Sequence, residues 1–469
     1  MDTPAKYLQN PIAFGIKNLG NTCYINATLQ LLQSCDMLQY LIISKKFNDN
    51  LIKNRINKIV IEKKKNNEKF DEIDRSTLRF EVNSTLTVMY YKFVTQLMSN
   101  DGVSLCIPEK FHKKLEEFIE LVRGYNQNDV SEFLTFFLGQ LDSELKVRSQ
   151  VVEHKLIPIE YIELYSEYKS ILDKNDNFKS INLFTLKGEI SEKLVYLFEF
   201  SYYWEKYCIG SSNGEPNYSP LTDIFNFNTY TECTCVECKN NSITFAIHMI
   251  MNLSVPSNPK KGFVTLEELV DNEFNKKPEK ISDDGKNIYF CDICGEKTET
   301  NKVTRIWDLP ERLFIQLNLF EHTYDKKTQQ SITNKISTPV YYPMTIDLNK
   351  YVSDMNSDKY NNNYKYRLCG FIKHYGNYNG GHYVAVAKNL DGEYYYYNDD
   401  QKPKHVKKNT VIDDEPYILL YEKIDTSANP HFDEFDDYSN IPSIPSIINY
   451  DEQKQKNETL MNEDEFNNY

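Results

Sequence analysis

Residues 15–30, GIKNLGNTCYINATLQ, place one cysteine between a turn rich in glycine and asparagine and a helix that follows at once. From Tyr24 onward the apolar residues recur at helical spacing, and Asn21 or Thr22 can act as the N-cap. Cys23 therefore falls in the first helical turn, where unpaired amides and the positive end of the helix dipole stabilise a thiolate. The stretch predicts a nucleophilic cysteine; a buried structural cysteine is the alternative, since free cysteine is among the most buried residue types.

A second informative stretch, residues 380–397, is typical of a β-hairpin whose loop carries an Asp-Gly turn signal. Symmetric closure of this hairpin pairs Ala387 with Glu393, and therefore His382 with Asn398. Directly opposed side chains share one face of the sheet, with Cβ atoms about 4.5–5.5 Å apart. The pairing predicts that Asn398 holds one imidazole nitrogen of His382 and leaves the other for a thiol.

Two further polar residues are expected near the thiol. Asn18 precedes Cys23 by five residues and is an amide donor that can face an oxyanion beside the sulfur. Asp399 follows Asn398 and would point to the opposite face of the strand unless the strand bulges. Asp399 is therefore predicted as a second orienting group for the histidine or as a polar group beneath the oxyanion.

Five blocks of sequence, in order, resemble motifs of the ubiquitin-specific protease family of deubiquitinating enzymes. The blocks lie at residues 15–30, 127–134, 309–317, 380–383 and 417–421. Two departures are visible: Asn128 stands where the family usually has glutamine, and Asn318-Leu319-Phe320 replaces the usual Arg-Phe after the third block. The resemblance spans residues 11–423 and implies an α+β fold, a papain-like cysteine protease with a helical thumb, a β-rich palm and a zinc-bearing finger lobe.

The resemblance also implies a division of the chain. An N-terminal extension at 1–10 precedes a catalytic domain at 11–424, composed of a thumb at about 11–146, an insertion at about 147–218, and fingers and palm at about 219–424. Residues 425–469 contain eleven acidic residues against two lysines and are predicted to be a disordered tail. The basic segment at 45–70 is interpreted as a solvated helix or loop, with a docking site for an acidic partner as the alternative.

In the chemistry that the resemblance implies, Cys23 attacks the carbonyl of ubiquitin's terminal glycine, which an isopeptide bond joins to a lysine. Asn18 stabilises the oxyanion, and His382, oriented by Asn398 or Asp399, protonates the departing amine. The two glycines before the scissile bond need a narrow channel. The pair at 380–381, Gly380 and Gly381, would allow close backbone approach there, and the adjoining Tyr383 is a further expected substrate contact.

Asp129 and Glu132 allow two interpretations. An aspartate at an N-cap with a glutamate three residues later satisfies unpaired amides at a helix start. The resemblance instead makes this acidic pair a receptor for the two arginines in ubiquitin's C-terminal Arg-Leu-Arg-Gly-Gly. One carboxylate can cap the helix while the other binds substrate, so the two interpretations are compatible.

Four cysteines form two Cys-x-x-Cys pairs, Cys235 with Cys238 and Cys291 with Cys294. Two such pairs can supply a tetrahedral zinc site, and the resemblance implies one structural zinc ion here. A disulfide or unligated thiols are the alternatives, and the neighbouring Cys233 could replace Cys235 as a ligand. No catalytic cofactor is expected.

Composition limits the remaining classes of function. The net charge of −14 argues against nucleic-acid or anionic-membrane binding, and no apolar run is long enough to span a bilayer. The first residues lack the apolar core of a secretory signal, so the ten cysteines favour reduced thiols and metal sites. We expect a monomer in the cytoplasm or nucleus that binds ubiquitin and ubiquitinated proteins. A catalytically idle ubiquitin-binding scaffold and a protease for another ubiquitin-like modifier are the alternatives.

Overall fold

The computed structural model describes residues 13–66, 75–99, 105–148, 217–325, 330–377 and 380–424. Short gaps in these ranges lie at 125, 240, 275–278, 282–288, 292, 355, 357–362, 390 and 414. The predicted extension at 1–10, nearly all of the insertion at 147–218 and the tail at 425–469 lie outside the described residues.

Helices dominate the first part of the chain. They are α1 Cys23–Gln33, α2 Asp36–Ile43, α3 Asn48–Lys65, α4 Arg75–Asn83, α5 Leu86–Ser99, α6 Glu109–Phe118 and α7 Val130–Leu145, followed later by α8 Pro220–Phe225 and α9 Leu266–Phe274. Short 3-10 helices occupy Glu120–Val122, Asn349–Tyr351 and Lys408–Asp413. None of the helices in the described ranges is both long and apolar enough to cross a lipid bilayer.

Strands dominate the second part. They are β1 Gly15–Ile16, β2 Leu105–Cys106, β3 Val147–Arg148, β4 Asn217–Tyr218, β5 Phe227–Cys235, β6 Asn241–His248, β7 Ile250–Ser254, β8 Val264–Thr265, β9 Glu279–Ile281, β10 Tyr289–Cys291 and β11 Glu296–Thr298. They continue as β12 Thr300–Ile306, β13 Arg312–Asn318, β14 Phe320–Asp325, β15 Gln330–Lys335, β16 Val340–Tyr341, β17 Thr345–Asp347, β18 Lys365–Asn377, β19 Gly380–Lys388, β20 Tyr394–Tyr397, β21 Lys404–Val406 and β22 Ile418–Lys423.

The strands form two principal sheets. The larger has the order β21-β20-β19-β18-β22-β13-β7, with β17 added on β18, and is antiparallel except for the β13–β7 pair. The smaller has the order β6-β5-β12-β9 and lies next to the short β10–β11 hairpin. This combination of helices, a large sheet and a smaller cysteine-bearing sheet agrees with the predicted α+β class of thumb, palm and fingers.

Helix α1 lies in the centre of the core and packs against β19, β18 and α7. All ten residues from Cys23 to Leu32 are buried. Gly370 on β18 permits this approach, because a Cβ atom there would lie 2.9 Å from the Leu31 side chain and 2.4 Å from the Val386 carbonyl oxygen. The second motif block continues into the amphipathic helix α7, whose apolar face is buried at Val130, Phe133, Leu134, Phe137, Leu138 and Leu141. The large sheet and α1 are thereby held against each other.

Candidate active site

Cys23 is the first residue of α1 and is 3% exposed. Thr22 occupies the N-cap position, but its side chain does not cap the helix. The Thr22 hydroxyl instead accepts a hydrogen bond from the Leu19 amide at 3.0 Å and donates one to Asn18 Oδ1 at 3.2 Å. The turn before the helix is therefore held together by its own side chains, and the Thr22 side chain leaves the amides of the first helical turn uncapped.

His382 lies on β19 and contacts both Cys23 and Asn398. Its Nε2 is 2.7 Å from Asn398 Oδ1, so Nδ1 is the ring nitrogen left for the sulfur. The hydrogen bond with the Cys23 side chain raises the pKa of His382 to about 9, burial opposes this change, and the bond to Asn398 adds to it. The imidazole is thereby favoured in its charged form beside Cys23.

The predicted register of the β19–β20 hairpin is wrong by two residues. Ala387 pairs with Tyr395 and not with Glu393. The Asn389 amide bonds the Glu393 carbonyl at 2.7 Å, so β19 continues to Lys388 and the loop lies at residues 389–393. A shift of two leaves every side chain on its original face, since side chains alternate with period two. Asn398 consequently still reaches His382, although it does so from the turn that follows β20.

Asp399 does not bond His382, whose Nε2 lies 4.0 Å from its Oδ2. Its backbone has a φ of 46°, in the left-handed region, which turns the carboxylate toward the start of α1. There Oδ2 accepts a hydrogen bond from Asn18 Nδ2 at 2.8 Å. Asn18 Oδ1 accepts from the amides of Gly20 and Thr22, which fixes the orientation of the amide group. Of the two roles predicted for Asp399, the contact with Asn18 corresponds to the polar group beneath the oxyanion.

Gln127 is a residue whose role the sequence analysis did not assign. Its side-chain amide pairs with the backbone of Gly381, donating to the carbonyl and accepting from the amide at 3.0 Å. The only signal for it was its place in the second motif block, immediately before Asn128. Asn128 itself donates to the Leu121 carbonyl at 2.7 Å and to the Tyr24 hydroxyl at 3.2 Å. The side-chain amides of Gln127 and Asn128 therefore join the loop before α7 to β19 and α1.

Gly381 has a packing role beside any substrate contact. A Cβ atom at this position would lie 2.2 Å from His374 Nε2 and 2.2 Å from the Tyr375 carbonyl oxygen, so only glycine fits. At Gly380 the same atom would have ordinary clearance, 3.7 Å from Gln127 Oε1. Burial, together with the nearby charge of Lys335, lowers the pKa of His374 to about 4. His374 is therefore a neutral core residue, in contrast to His382.

The predicted helix cap at Asp129 is confirmed. Its Oδ1 accepts hydrogen bonds from the amides of Ser131 at 2.8 Å and Glu132 at 3.3 Å. Its Oδ2 accepts from the hydroxyl of Tyr417 at 2.7 Å and that of Tyr383 at 3.4 Å. Burial and the charge of Asp129 together raise the pKa of both tyrosines well above the ordinary value. Both carboxylate oxygens of Asp129 are thus engaged within the protein, and so is the Tyr383 hydroxyl.

An open groove of about 900 Å³ begins at this helix terminus. Its walls include Glu132 on α7, Gln316 on β13, Glu321 on β14, and Tyr417. Glu132 and Glu321 are exposed, and neither carboxylate has a cation partner among the described residues. The groove therefore carries negative charge that is available to a basic ligand.

The four predicted metal-ligating cysteines converge at the end of the smaller sheet. The sulfur atoms of Cys235, Cys238, Cys291 and Cys294 all lie within 4.8 Å of one another. Two of these separations are 3.5 Å, from Cys238 to Cys291, and 4.0 Å, from Cys235 to Cys294. Tetrahedral Zn–S bonds of about 2.3 Å require sulfur atoms about 3.8 Å apart, so the four thiols fit a zinc ion. Cys233 is not part of the cluster.

Comparisons with known proteins agree with this geometry. The family model described as "Ubiquitin carboxyl-terminal hydrolase" matches residues 14–421. A protein of Acanthamoeba polyphaga mimivirus named "Probable ubiquitin carboxyl-terminal hydrolase" is 26% identical over 442 residues, which cover 88% of this chain and 90% of that protein. Ubiquitin carboxyl-terminal hydrolase 21 of Homo sapiens is 23% identical over 409 residues, covering 87% of this chain and 61% of its own length.

Among solved structures, the chain is similar to one in the SAGA Ubp8/Sgf11/Sus1/Sgf73 DUB module bound to ubiquitin aldehyde. The TM-score is 0.50 at 19% identity, and the match covers 88% of this chain and 69% of that chain. A chain of the yeast SAGA DUB module with a mutant Sgf73 gives a TM-score of 0.51 at 18% identity, with 88% and 68% covered. At this level of identity the likeness concerns the fold.

Proposed function

We propose, because this chain belongs to the ubiquitin carboxyl-terminal hydrolase family, that it hydrolyses the bond at the C-terminal glycine of ubiquitin with Cys23 as the nucleophile. The observation that carries the proposal is that Cys23 begins α1 beside His382, whose ring Asn398 holds through Nε2 at 2.7 Å. The neighbouring Cys23 raises the imidazole pKa to about 9. A thiolate beside an imidazolium is the reactive form of a cysteine nucleophile. The sulfur attacks the carbonyl carbon, and the carbonyl oxygen takes the negative charge.

That oxyanion needs donors that are already directed at it. Asn18 supplies Nδ2, and the backbone amide of Cys23 at the helix start is a second donor. Nδ2 carries two hydrogens, so one can bond Asp399 while the other faces the oxyanion. Because Gly20 and Thr22 hold the opposite end of the Asn18 amide, this donor does not need to reorient during the reaction.

His382 then protonates the departing amine as the carbon–nitrogen bond breaks, which leaves ubiquitin joined to Cys23 as a thioester. A water molecule gives up a proton to the same imidazole, attacks the thioester and releases ubiquitin with a free carboxylate. In this mechanism Nδ1 of His382 first gives a proton to the amine and then accepts one from water. The hydrogen bond between Nε2 and Asn398 supports both steps, because it holds the ring in one orientation.

The groove beside α7 would receive the C-terminal tail of ubiquitin. Asp129 is engaged with the helix and with two tyrosines, so the exposed carboxylates of Glu132 and Glu321 are the better partners for the arginines of the Arg-Leu-Arg-Gly-Gly tail. The two arginines of this tail are separated by one residue. In an extended peptide their side chains would project from the same side of the chain, about 6.6 Å from each other. Charge-assisted hydrogen bonds from these arginines would fix the tail with its glycines at Cys23.

Removing the two groove carboxylates should weaken substrate binding. We expect Glu132→Ala and Glu321→Ala each to raise KM about threefold and the double variant about tenfold, with kcat unchanged, because exposed ion pairs contribute up to about 1 kcal/mol each. The measurement is steady-state hydrolysis of a ubiquitin conjugate, with Glu62→Ala on α3 as the control. In a ubiquitin whose two tail arginines are alanine, the same variants should change KM little. An equal increase in KM with that arginine-free ubiquitin would contradict the assignment.

We also propose that the four clustered cysteines hold one structural zinc ion. The sulfur separations of 3.5 and 4.0 Å bracket the tetrahedral value of about 3.8 Å, whereas a disulfide requires about 2.05 Å. With four protein ligands the ion would have no open position for a substrate, so its contribution would be to the folding of the finger sheet. The chemistry at Cys23 does not involve it.

The experiment that tests the proposed activity is labelling with a ubiquitin that carries an electrophile at its C-terminus. We expect a covalent adduct with the wild-type protein and none with Cys23→Ala, measured by the mass of the intact protein. Cys106→Ala is a matched control, because Cys106 is also buried and reduced but lies on β2. Absence of the adduct on wild type would support an idle ubiquitin-binding scaffold, and faster labelling by another ubiquitin-like modifier would support a different substrate.

A further inference from the structure

Asn26 lies in the first turn of α1, is 2% exposed and touches neither Cys23 nor His382 among the contacts described above. Its Nδ2 donates one hydrogen bond to Asp399 Oδ1 at 2.8 Å and another to the Ile16 carbonyl at 3.1 Å. Both acceptors are oxygens, which fixes the amide with its nitrogen toward them. The Asn26 Oδ1 atom is buried without a hydrogen-bond partner, so the side chain is used only as a donor.

Asp399 depends on donors of this kind. Its carboxylate is 10% exposed, and the charge of a buried carboxylate must be balanced by hydrogen bonds or cations. Asn18 satisfies Oδ2 and Asn26 satisfies Oδ1. The residue is also in the left-handed region, with a φ of 46°, which costs about 1 kcal/mol or more for a side chain other than glycine. Without Asn26, half of the contacts that hold this carboxylate would be missing.

The backbone around Asp399 is tied to the same segment. The Ile16 amide donates to the Asp399 carbonyl at 2.8 Å, and a Cβ atom at Gly15 would lie 2.9 Å from that carbonyl oxygen. Asn26 therefore closes a ring of contacts that joins α1, the strand Gly15–Ile16 and the turn at Asp399. Asn18 follows this strand by two residues and donates to the other oxygen of Asp399. The position of the Asn18 donor consequently depends on a carboxylate that Asn26 holds in place.

We propose that Asn26 is a positioning residue for the oxyanion donor Asn18 and acts on it through Asp399. This inference rests on the proposed function, because it concerns the charge that develops in that reaction. The contacts of His382 with Cys23 and Asn398 do not pass through Asn26. Loss of Asn26 should therefore impair stabilisation of the oxyanion and leave the nucleophile and its imidazole intact.

Two substitutions separate this role from a general packing role. Asn26→Ala removes both hydrogen bonds donated by Nδ2. We expect kcat for a ubiquitin conjugate to fall about 10- to 100-fold and KM to stay within twofold of the wild-type value. Misplacement of a catalytic group by about 1 Å can cost about 100-fold in rate. Asn26→Asp has nearly the same shape but sets a second carboxylate against Asp399. Its activity should be lower than that of Asn26→Ala at pH 8 and should recover as pH falls, when one carboxyl gains a proton and an O–H···O bond forms.

Alkylation of Cys23 by chloroacetamide tests the nucleophile alone, because displacement of chloride develops no oxyanion. A structural defect would slow alkylation and turnover together, whereas loss of the positioning role would slow turnover only. Both variants should react with chloroacetamide at the wild-type rate while their affinity for ubiquitin aldehyde, whose adduct carries an oxygen at the oxyanion position, falls at least tenfold. Asn54→Ala is the matched control. Asn54 is likewise buried on a helix, donates through Nδ2 to two carbonyls and leaves Oδ1 without a partner, but it lies on α3.

The outcomes distinguish the two proposals. If wild type hydrolyses ubiquitin and the Asn26 variants retain kcat within twofold, the positioning role is overturned and the proposed function stands. A parallel loss of alkylation and turnover, or an equal loss in Asn54→Ala, would likewise overturn the positioning role by showing a structural defect. If wild type itself does not hydrolyse ubiquitin, both proposals fail.

Discussion

Replacing His382 with alanine is expected to lower kcat for a ubiquitin conjugate by at least about 10³-fold, because in the proposed mechanism this imidazole pairs with the Cys23 sulfur and supplies the proton for the departing amine. General acid–base catalysis alone contributes about 10² to 10⁴ in rate. In the proposed complex most of the contact with ubiquitin lies along the groove and not at the ring, so the Kd of the variant for ubiquitin should stay within about twofold of the wild-type value. Single-turnover hydrolysis and a direct binding measurement report the two quantities separately.

A matched control is His405→Ala. His405 is a half-exposed histidine on β21 that pairs with Glu393 at 2.8 Å, away from Cys23. This variant should retain wild-type turnover. Turnover by His382→Ala within tenfold of wild type would contradict the assignment of the imidazole, and a large loss in His405→Ala would show that the assay reports stability.

The same histidine determines the alkaline limit of activity. Its pKa is raised to about 9, first by the hydrogen bond with Cys23, and the imidazolium that protonates the leaving amine is the form present below that pH. Turnover should therefore be retained up to about pH 8 and should fall as pH rises through about 9. The hydrogen bond that His382 Nε2 donates to Asn398 Oδ1 also raises this pKa, so Asn398→Ala should move the alkaline limb of the pH–rate profile to lower pH. An alkaline limb in that variant at or above the wild-type position would contradict this account.

Replacing Cys291 with serine should release the zinc ion and unfold the cysteine-bearing end of the fingers. Cys291 is fully buried, and the strands that carry the cluster there are only three residues long, β10 and β11. Such short strands bury little apolar surface, so the proposed zinc ion would supply folding free energy that the core does not. We expect about one zinc per wild-type chain and less than about a tenth of that in the variant, together with a lower Tm and rapid proteolysis between β9 and β12.

Cys233→Ser provides the control for this substitution. Cys233 lies two residues before Cys235 on β5 but outside the cluster, so its replacement should leave the zinc content unchanged. Loss of zinc in both variants would indicate that Cys233 can replace Cys235. Wild-type protein purified without chelator and found to contain no zinc by elemental analysis would defeat the proposal.

Several features of the site follow from the sequence because they depend on near neighbours. The turn before Cys23 and the apolar spacing after it are local, and they predicted α1 with its cysteine in the first turn. The capping role of Asp129 followed from the glutamate three residues after it, which marks a helix start, and α7 begins there. The hairpin at 380–397 was predicted on the correct face although in the wrong register, because an error of two residues conserves the face.

Other features depend on contacts that no local pattern encodes. The sequence left Asp399 with two roles, and the left-handed backbone at this residue directs its carboxylate to Asn18, 381 positions away. Glu321 was not predicted to line the same groove as Glu132, because it lies on the β14–β15 hairpin, which the fold brings to α7 from a distant part of the sequence. Asn26 was read as part of a helix, and its bond to Asp399 spans 373 positions.

Local patterns were sufficient to place the cysteine in the first turn of a helix, the histidine on a strand and the two cysteine pairs together, because helix starts, strand alternation and ligand spacing depend on residues within one or two turns. The hydrogen-bonded group of Asn18, Asn26 and Asp399 exists only in the folded chain. The physical reason is that a hydrogen bond of 2.8 Å between distant segments requires the backbone turn at Asp399 and the packing of α1 against the sheet to be in place together.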